Sequence, residues 1–509
     1  MFTCIARSAA CGLVALLFFP SRADCQADSG ISYTKAEQLI LRQVADGKIA
    51  TFGDLPAKKR TVPAEFLAQL LTGKLAGVSV SNEGVLIEHA VVHGKLGVAG
   101  AEIRYTVWLN DCDFEGGADL SRTHLHGDLS ATNSRFHGDA DFDGLRADGN
   151  IFFQNATFDG LFDISGSQIH GSLNAAGAVF SDQDGRPAQF DSMTGLVRAD
   201  FENVTLKVPL TLDGAEAQIL WLGAIGNSAG RPNADKLPVV KQVILTHATV
   251  HRELHLEGMN IDTLLASSLK VEGLADFENL KITTKADLSH SQLFDLVLTD
   301  DITWPSREES FDLAGIFFQY ISPESHWSAS STPSASTDAH WTNLVKLADT
   351  SNYPTAPYQQ LEDALRREGR IELANNVFEN KEKKARSRSD LGWEATIKNF
   401  LLYVLIGYGR EPQRAFYWSA LVVLFGWLVV FRTENDVQLR DDKDKGRHYD
   451  AFWYSLDLFL PIATLQAADV WIPRQSSWIK RSYAGIHAVL GWILIPIGLA
   501  AVTGLVSGR

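Results

Sequence analysis

The chain has 509 residues, 45% of them hydrophobic and 21% charged, with a formal net charge of −15. That balance excludes an intrinsically disordered polypeptide and leaves room for two to four domains. Four cysteines with no CxxC pair and no Cys/His ligand spacing exclude a disulfide scaffold and a structural zinc module.

Residues 1–23 read as a secretory signal peptide: Arg7 is the basic residue, Cys11 to Phe19 the apolar core, and Ser21-Arg22-Ala23 the small-residue cleavage site before Asp24. The nine-residue core is well short of the roughly 20 apolar residues of a spanning helix. Cleavage would leave Cys25 and Cys112 in an oxidising compartment, where a bridge between them is chemically allowed. Residues 24–77 form an N-terminal helical cap, with "AEFLAQLLTGKL" as its apolar helix-forming stretch.

From residue 78 the sequence repeats. Val92, Phe114, Phe136, Phe158 and Phe180 are spaced by 22, with Gly94, Gly116, Gly138 and Gly160 two places after the first four anchors. Three further apolar columns keep this register: Val98, Leu120, Phe142 and Ile164; Ile103, Leu125, Ala147 and Ile169; Val107, Leu129, Ile151 and Leu173. One 22-residue unit has too little apolar surface for a core of its own, so units must stack. Winding them at about 4.8 Å per coil turns each column into a buried ladder. The fold class is therefore mainly β, a right-handed parallel β-helix over residues 78–320. The stretch 181–195 reads as an inserted loop and 223–236 as a second irregularity, after which Val250, Val271 and Leu293 resume the anchors, with Leu256, Phe277, Ile261 and Ile282 in matching columns. Roughly eleven coils are expected, a rod on the order of 50 Å long, with both ends capped against edge pairing.

A Ser-rich linker, 321–350, leads to a helical hairpin over 351–392. Tyr358, Leu361, Ala364 and Leu365 form one apolar face, Gly369 the turn, and Leu373, Ala374, Val377 and Phe378 a second face. Residues 393–509 form a membrane domain with spans near 415–431 and 483–506, aromatic residues near their ends, and Ile397 to Ile406 as a shorter interfacial run. Between the spans, Phe452, Trp453, Leu456 and Phe459 line one side of an aromatic segment, followed by Thr464 and Asp469, that reads as an interfacial docking helix. Its position is also that of a channel's pore helix, but "TLQAAD" lacks the glycines of a carbonyl-lined filter.

The candidate site residues are polar columns of the repeat. One place after the anchors stand His93, Glu115, His137 and Asp159; a second column holds His126, Asp148 and His170. Imidazole and carboxylate are natural metal ligands, yet members of one column two coils apart are separated by about 10 Å. Solvated turns that avoid stacking like charges account for the pattern, and neither a metal nor a cofactor is expected. No GxSxG, HExxH, GxGxxG or P-loop spacing occurs, so the chain does not read as an enzyme. Between Val92 and Phe180, 12 acidic residues face 5 basic ones; export removes such a surface from nucleic acid, and no nucleic-acid partner is expected.

The segments "PAEFLAQLLTGKL", "ADLS", "FDISGSQIHGSL", "PYQQLEDALRREGR", "GYGREPQRAFYW", "YSLDLFLPIA" and "IHAVLGWILIPIGLAAVTGL" resemble a family of poorly characterised bacterial membrane proteins with an exported pentapeptide-like β-helix. Some members are labelled membrane-associated oxidoreductases, but no redox-cofactor site is recognisable here. The resemblance implies this architecture and assigns no functional residues. The expected protein is an inner-membrane-anchored periplasmic β-helix that binds or scaffolds a protein or an envelope polymer, with oligomerisation possible. A channel-like or transporter-accessory protein and an enzyme on the solenoid face are the alternatives.

Overall fold

The computed structural model describes residues 33–503 except 54, 224–238, 299–301, 306–309, 323–354, 368, 387–392, 408–412, 442, 444–445, 461–464 and 466. The signal segment, Cys25, most of the irregular stretch 223–236, most of the Ser-rich linker and Thr464 fall outside these residues.

The repeat columns become the walls of a parallel β-solenoid of about 10 coils. In the first half each coil turns four corners, because four inward columns need four walls. The anchors lie on a seven-stranded sheet, and the other columns lie on or beside the ten-, four- and twelve-stranded sheets. Every pairing within the solenoid is parallel and joins equivalent positions, such as Phe114 to Phe136 to Phe158. The anchor rings stack down the axis with centroids 4.4, 4.9 and 5.1 Å apart and planes within 12°. Each such contact contributes about 0.5–1.5 kcal/mol beyond area burial. All four apolar columns are buried.

Turn chemistry fixes the corners. His89, Asp111, Asn133 and Asn155, again 22 apart, have φ between 53° and 61°, a left-handed conformation that Asn and Asp tolerate better than most residues. The Asn155 amide donates to Asn133 Oδ1 at 3.2 Å, tying one corner to the next. The glycine column has a different cause: a Cβ at Gly138 would stand 2.8 Å from the Gly116 carbonyl oxygen, so the backbone of successive coils leaves no room for a side chain.

Beyond Leu196 the cross-section changes. The four-stranded sheet ends at Gln168–Ile169 and the seven-stranded one at Thr205–Leu206. The twelve- and ten-stranded sheets continue with strands up to seven residues long, including Thr249–His255, Lys270–Asp276 and Lys281–Asp287, with register shifts typical of bulges. The later columns hold: Val250, Val271, Leu293, Leu256, Phe277, Ile261 and Ile282 are buried. The stretch 181–195 is less of an insertion than its sequence suggests. Ala188–Gln189 rejoins the ten-stranded sheet, and Phe190 and Met193 return to the core.

Both rod ends are closed. At the first, α1 (Lys35–Asp46) starts with a Thr34/Glu37 capping box and buries Ala36, Ile40 and Val44. Helix α2 (Ala64–Leu71) buries Phe66, Leu67, Leu70 and Leu71, and the Tyr105 hydroxyl donates to its last carbonyls at 2.8 Å. The cap segment also supplies strands: Ala50–Thr51 and Thr61–Pro63 pair with the first coil, so the solenoid register begins before residue 78. At the other end, α3 (Thr355–Arg367) and α4 (Ile371–Arg386) form the expected hairpin. Tyr358, Leu361, Ala364, Leu365, Ala374 and Val377 join the solenoid core, and the Arg367 guanidinium donates to the carbonyls of Phe318 and Gln319. The hairpin is the missing second cap.

Helix α5 (Trp393–Ile406) precedes α6 (Gln413–Phe425), which continues as a π-helical turn over Gly426–Val430. Gln413–Val430 and Trp478–Ala500 are long and apolar enough to cross a membrane. The second belongs to α8 (Trp478–Val502). Helix α7 (Ala451–Phe459), read from the sequence as an interfacial docking helix, packs on both, burying Tyr454, Ser455, Asp457 and Phe459. The Ser455 hydroxyl donates to the Val423 carbonyl, and the Asp457 carboxylate accepts from the amides of Leu465 and Ala468. Cys112 is a buried free thiol, and burial pushes its pKa up to about 12.

Candidate functional site

In the repeat, the residue flanking each buried anchor points outward, so chain geometry alone makes continuous polar ladders. The first predicted column forms short imidazole–carboxylate contacts between coils. His93 Nδ1 lies 2.6 Å from Glu115 Oε2, while His137 reaches Asp113 at 2.7 Å and Asp159 at 3.4 Å. Arg135 holds Asp159 at 2.7 Å. Asp113 and Arg135 were not part of the predicted column; they precede the anchors and share its outward side.

The second column is denser than its spacing indicates. His126 Nδ1 and His124 Nε2 lie 3.0 and 3.2 Å from the same oxygen of Asp148, and His170 lies 3.8 Å from the other oxygen. His126 also meets Glu102 at 3.2 Å. Burial alone would raise the Asp148 carboxyl, but hydrogen bonds and charge from His124 and His126 hold it below its usual value. The distance argument counted residues of one column; His124 enters because residues two apart on a strand share a face. His124, His126 and Asp148 could together hold a metal ion on the exposed surface. One oxygen of Asp148 already bonds both imidazoles.

A second group of ligand-type residues lies in the irregular half. His255 and Asp276 pair across neighbouring strands and are buried, and Glu257 stands two residues beyond His255. Burial opposes charge on His255, but Glu257, Asp276 and Glu253 outweigh it and raise the imidazole pKa. Burial first, then the neighbouring Glu257, pushes Asp276 up to about 7. These carboxylates come from different coils, Asp276 in the interior and Glu257 partly exposed beside it. A sequence signal for the group exists: Ala-Asp-Phe-Glu-Asn occurs at 199–203 and again at 275–279, with His255-Leu256-Glu257 at the same phase. Apolar columns alone do not reveal it.

Comparison with curated proteins and with solved structures gives no match. Residues 99–146, within the four-sided coils, match the family model for pentapeptide repeats (9 copies). Stacked parallel coils of the same β-solenoid continue on both sides of the matched stretch.

Proposed function

We propose that the protein is a membrane-anchored scaffold whose rod, lying in the periplasm of a bacterial cell, offers its longest face to a protein or an envelope polymer. The carrying observation is the twelve-stranded parallel sheet, one wall that runs through every part of the rod from Ala50–Thr51 to Phe317–Ser322. Regular solenoid walls present many side chains without a deep pocket and suit extended partners. Phe294 and Tyr320 stand exposed on this wall with ring centroids 5.6 Å apart, and Trp108 and Val197 are exposed on earlier coils. The two apolar helices support the anchor.

The test is crosslinking in living cells from single cysteines at positions 108, 197 and 294, followed by identification of what is trapped. Recovery of one protein or polymer from these positions, and not from the four-stranded wall, supports the reading; recovery of lipid and self alone removes it.

A second, channel-like reading is favoured by α7, a short helix packed on two longer apolar ones, with Asp457 accepting from the amides of Leu465 and Ala468. Electrical recording from the purified protein in planar bilayers separates the two readings, because a scaffold gives no conductance.

A further inference from the structure

We propose that His255, Glu257 and Asp276 hold a divalent transition-metal cation that ties two neighbouring coils together inside the rod. This goes beyond the scaffold reading and does not depend on any partner. The carrying geometry is a buried imidazole nitrogen aimed between two carboxylates without bonding either. His255 Nδ1 lies 3.7 Å from Glu257 Oε2 and 3.8 Å from Asp276 Oδ2, and it has no hydrogen-bond partner. Those separations are too long for hydrogen bonds. They lie close to the edge of a coordination tetrahedron, about 3.3–3.4 Å for metal–ligand bonds of about 2.0–2.1 Å.

The surroundings are arranged as a metal ligand requires. Metal-bound histidines commonly present their second nitrogen to a carboxylate, which fixes the tautomer and the ring plane. Here His255 Nε2 faces Glu253 Oε2 at 3.4 Å. The His255 ring is stacked on Trp221, with centroids 4.0 Å apart and planes within 18°. Asp276 is fixed through its other oxygen, which accepts the Glu278 amide at 3.0 Å. On the preceding coil the matching position is Gly223, where a Cβ would stand 2.5 Å from the Glu257 carbonyl oxygen, 2.8 Å from its amide and 2.9 Å from its side chain, so no side chain fits against Glu257 there.

Charge points the same way. Glu253, Glu257 and Asp276 stand around one imidazole, at 3.4, 3.7 and 3.8 Å, while Arg198 lies over the Trp221 ring and pairs with Asp200 at 2.9 Å. So much negative charge in a low-dielectric interior is costly unless it is protonated or neutralised by a cation. Imidazole with two carboxylates suits Zn²⁺, Mn²⁺ or Fe²⁺ better than Ca²⁺, which prefers oxygen ligands alone.

The test uses the full chain in detergent after chelator treatment, titrated with Co²⁺ as a spectroscopic probe and then with Zn²⁺. One equivalent of Co²⁺ is expected to give visible d–d bands that Zn²⁺ abolishes, with a Zn²⁺-dependent rise in thermal midpoint. Glu257→Gln and Asp276→Asn should weaken Co²⁺ binding by at least about 100-fold, and Glu253→Gln, which alters only the orienting carboxylate, by about 10–100-fold. Glu257 is partly exposed, so its substitution keeps the test valid should Asp276→Asn fail to fold. Absence of d–d bands in the wild-type protein overturns the proposal. So does binding that persists in Glu257→Gln but disappears in His126→Ala, which would place the ion on the exposed His124, His126 and Asp148 group.

Discussion

The two halves of the rod solve one packing problem in different ways. In coils 92–180 each turn of chain has four short walls, every anchor stacks on its equivalent, and charged groups stay on the outward ladders. In coils 249–297 two long strands replace four short ones, bulges shift the register, and His255 and Asp276 are carried inside. A uniform four-sided coil assigns each position firmly to core or solvent. A bulged two-sheet coil does not, so it is the half able to build an interior polar site.

The largest effect expected is from Phe136→Ala, which empties the middle of the phenylalanine stack and should cost about 3–5 kcal/mol in denaturant unfolding. Because coils contact only their neighbours, hydrogen exchange should quicken around residues 114–180 and much less around 249–297. Equal acceleration in both halves would break the comparison.

Gly138→Ala should cost about 1–3 kcal/mol, since its Cβ meets backbone that cannot move aside. Gly97→Ala, in the neighbouring ten-stranded wall with open space around its Cβ, should change stability by less than about 0.5 kcal/mol. Matching effects at the two positions would show that the glycine column is not a spacing requirement.

Both halves use a buried hydroxyl to satisfy an inner carbonyl. Ser134 donates to the Leu109 carbonyl at 2.7 Å and also accepts the Cys112 amide at 2.9 Å; Ser291 donates to the Ala266 carbonyl at 2.6 Å. Each serine-to-alanine change should cost about 1–3 kcal/mol, with Ser134 the more expensive because two backbone groups lose a partner.

The smallest effect concerns pH. Hydrogen bonds to Glu272 and Glu216, both at 2.8 Å, raise the His251 pKa above its ordinary value. A raised imidazole pKa gives stability that is complete below about 6.5, the unfolded value, and is lost as pH rises through the folded value. The His251 NMR titration midpoint should therefore lie above about 6.5. His251→Gln should flatten the stability profile over that interval; a midpoint at or below the free value would remove the effect.

Much of the rod was legible because its period is written in side-chain type. The anchors, their three companion columns and the glycine column all occupy the predicted phases, and the apolar columns after Val250 do as well. The helical hairpin was legible as two amphipathic faces, but its partner was not: the same pattern fits a free-standing unit, and only Tyr358 and Leu361 meeting the last coil identify it as the rod's cap. The outward columns were legible as residues, while the meeting of His124 with Asp148 depends on which neighbours share a wall.

Periodicity alone determined that this chain must coil and stack, since no single unit holds enough apolar surface to fold by itself. Tertiary structure decided where the coil has four walls and where it has two. That choice depends on bulges and strand lengths set by contacts between coils, and it alone places His255, Glu257 and Asp276 together, because proximity across coils is set by register and not by distance along the chain.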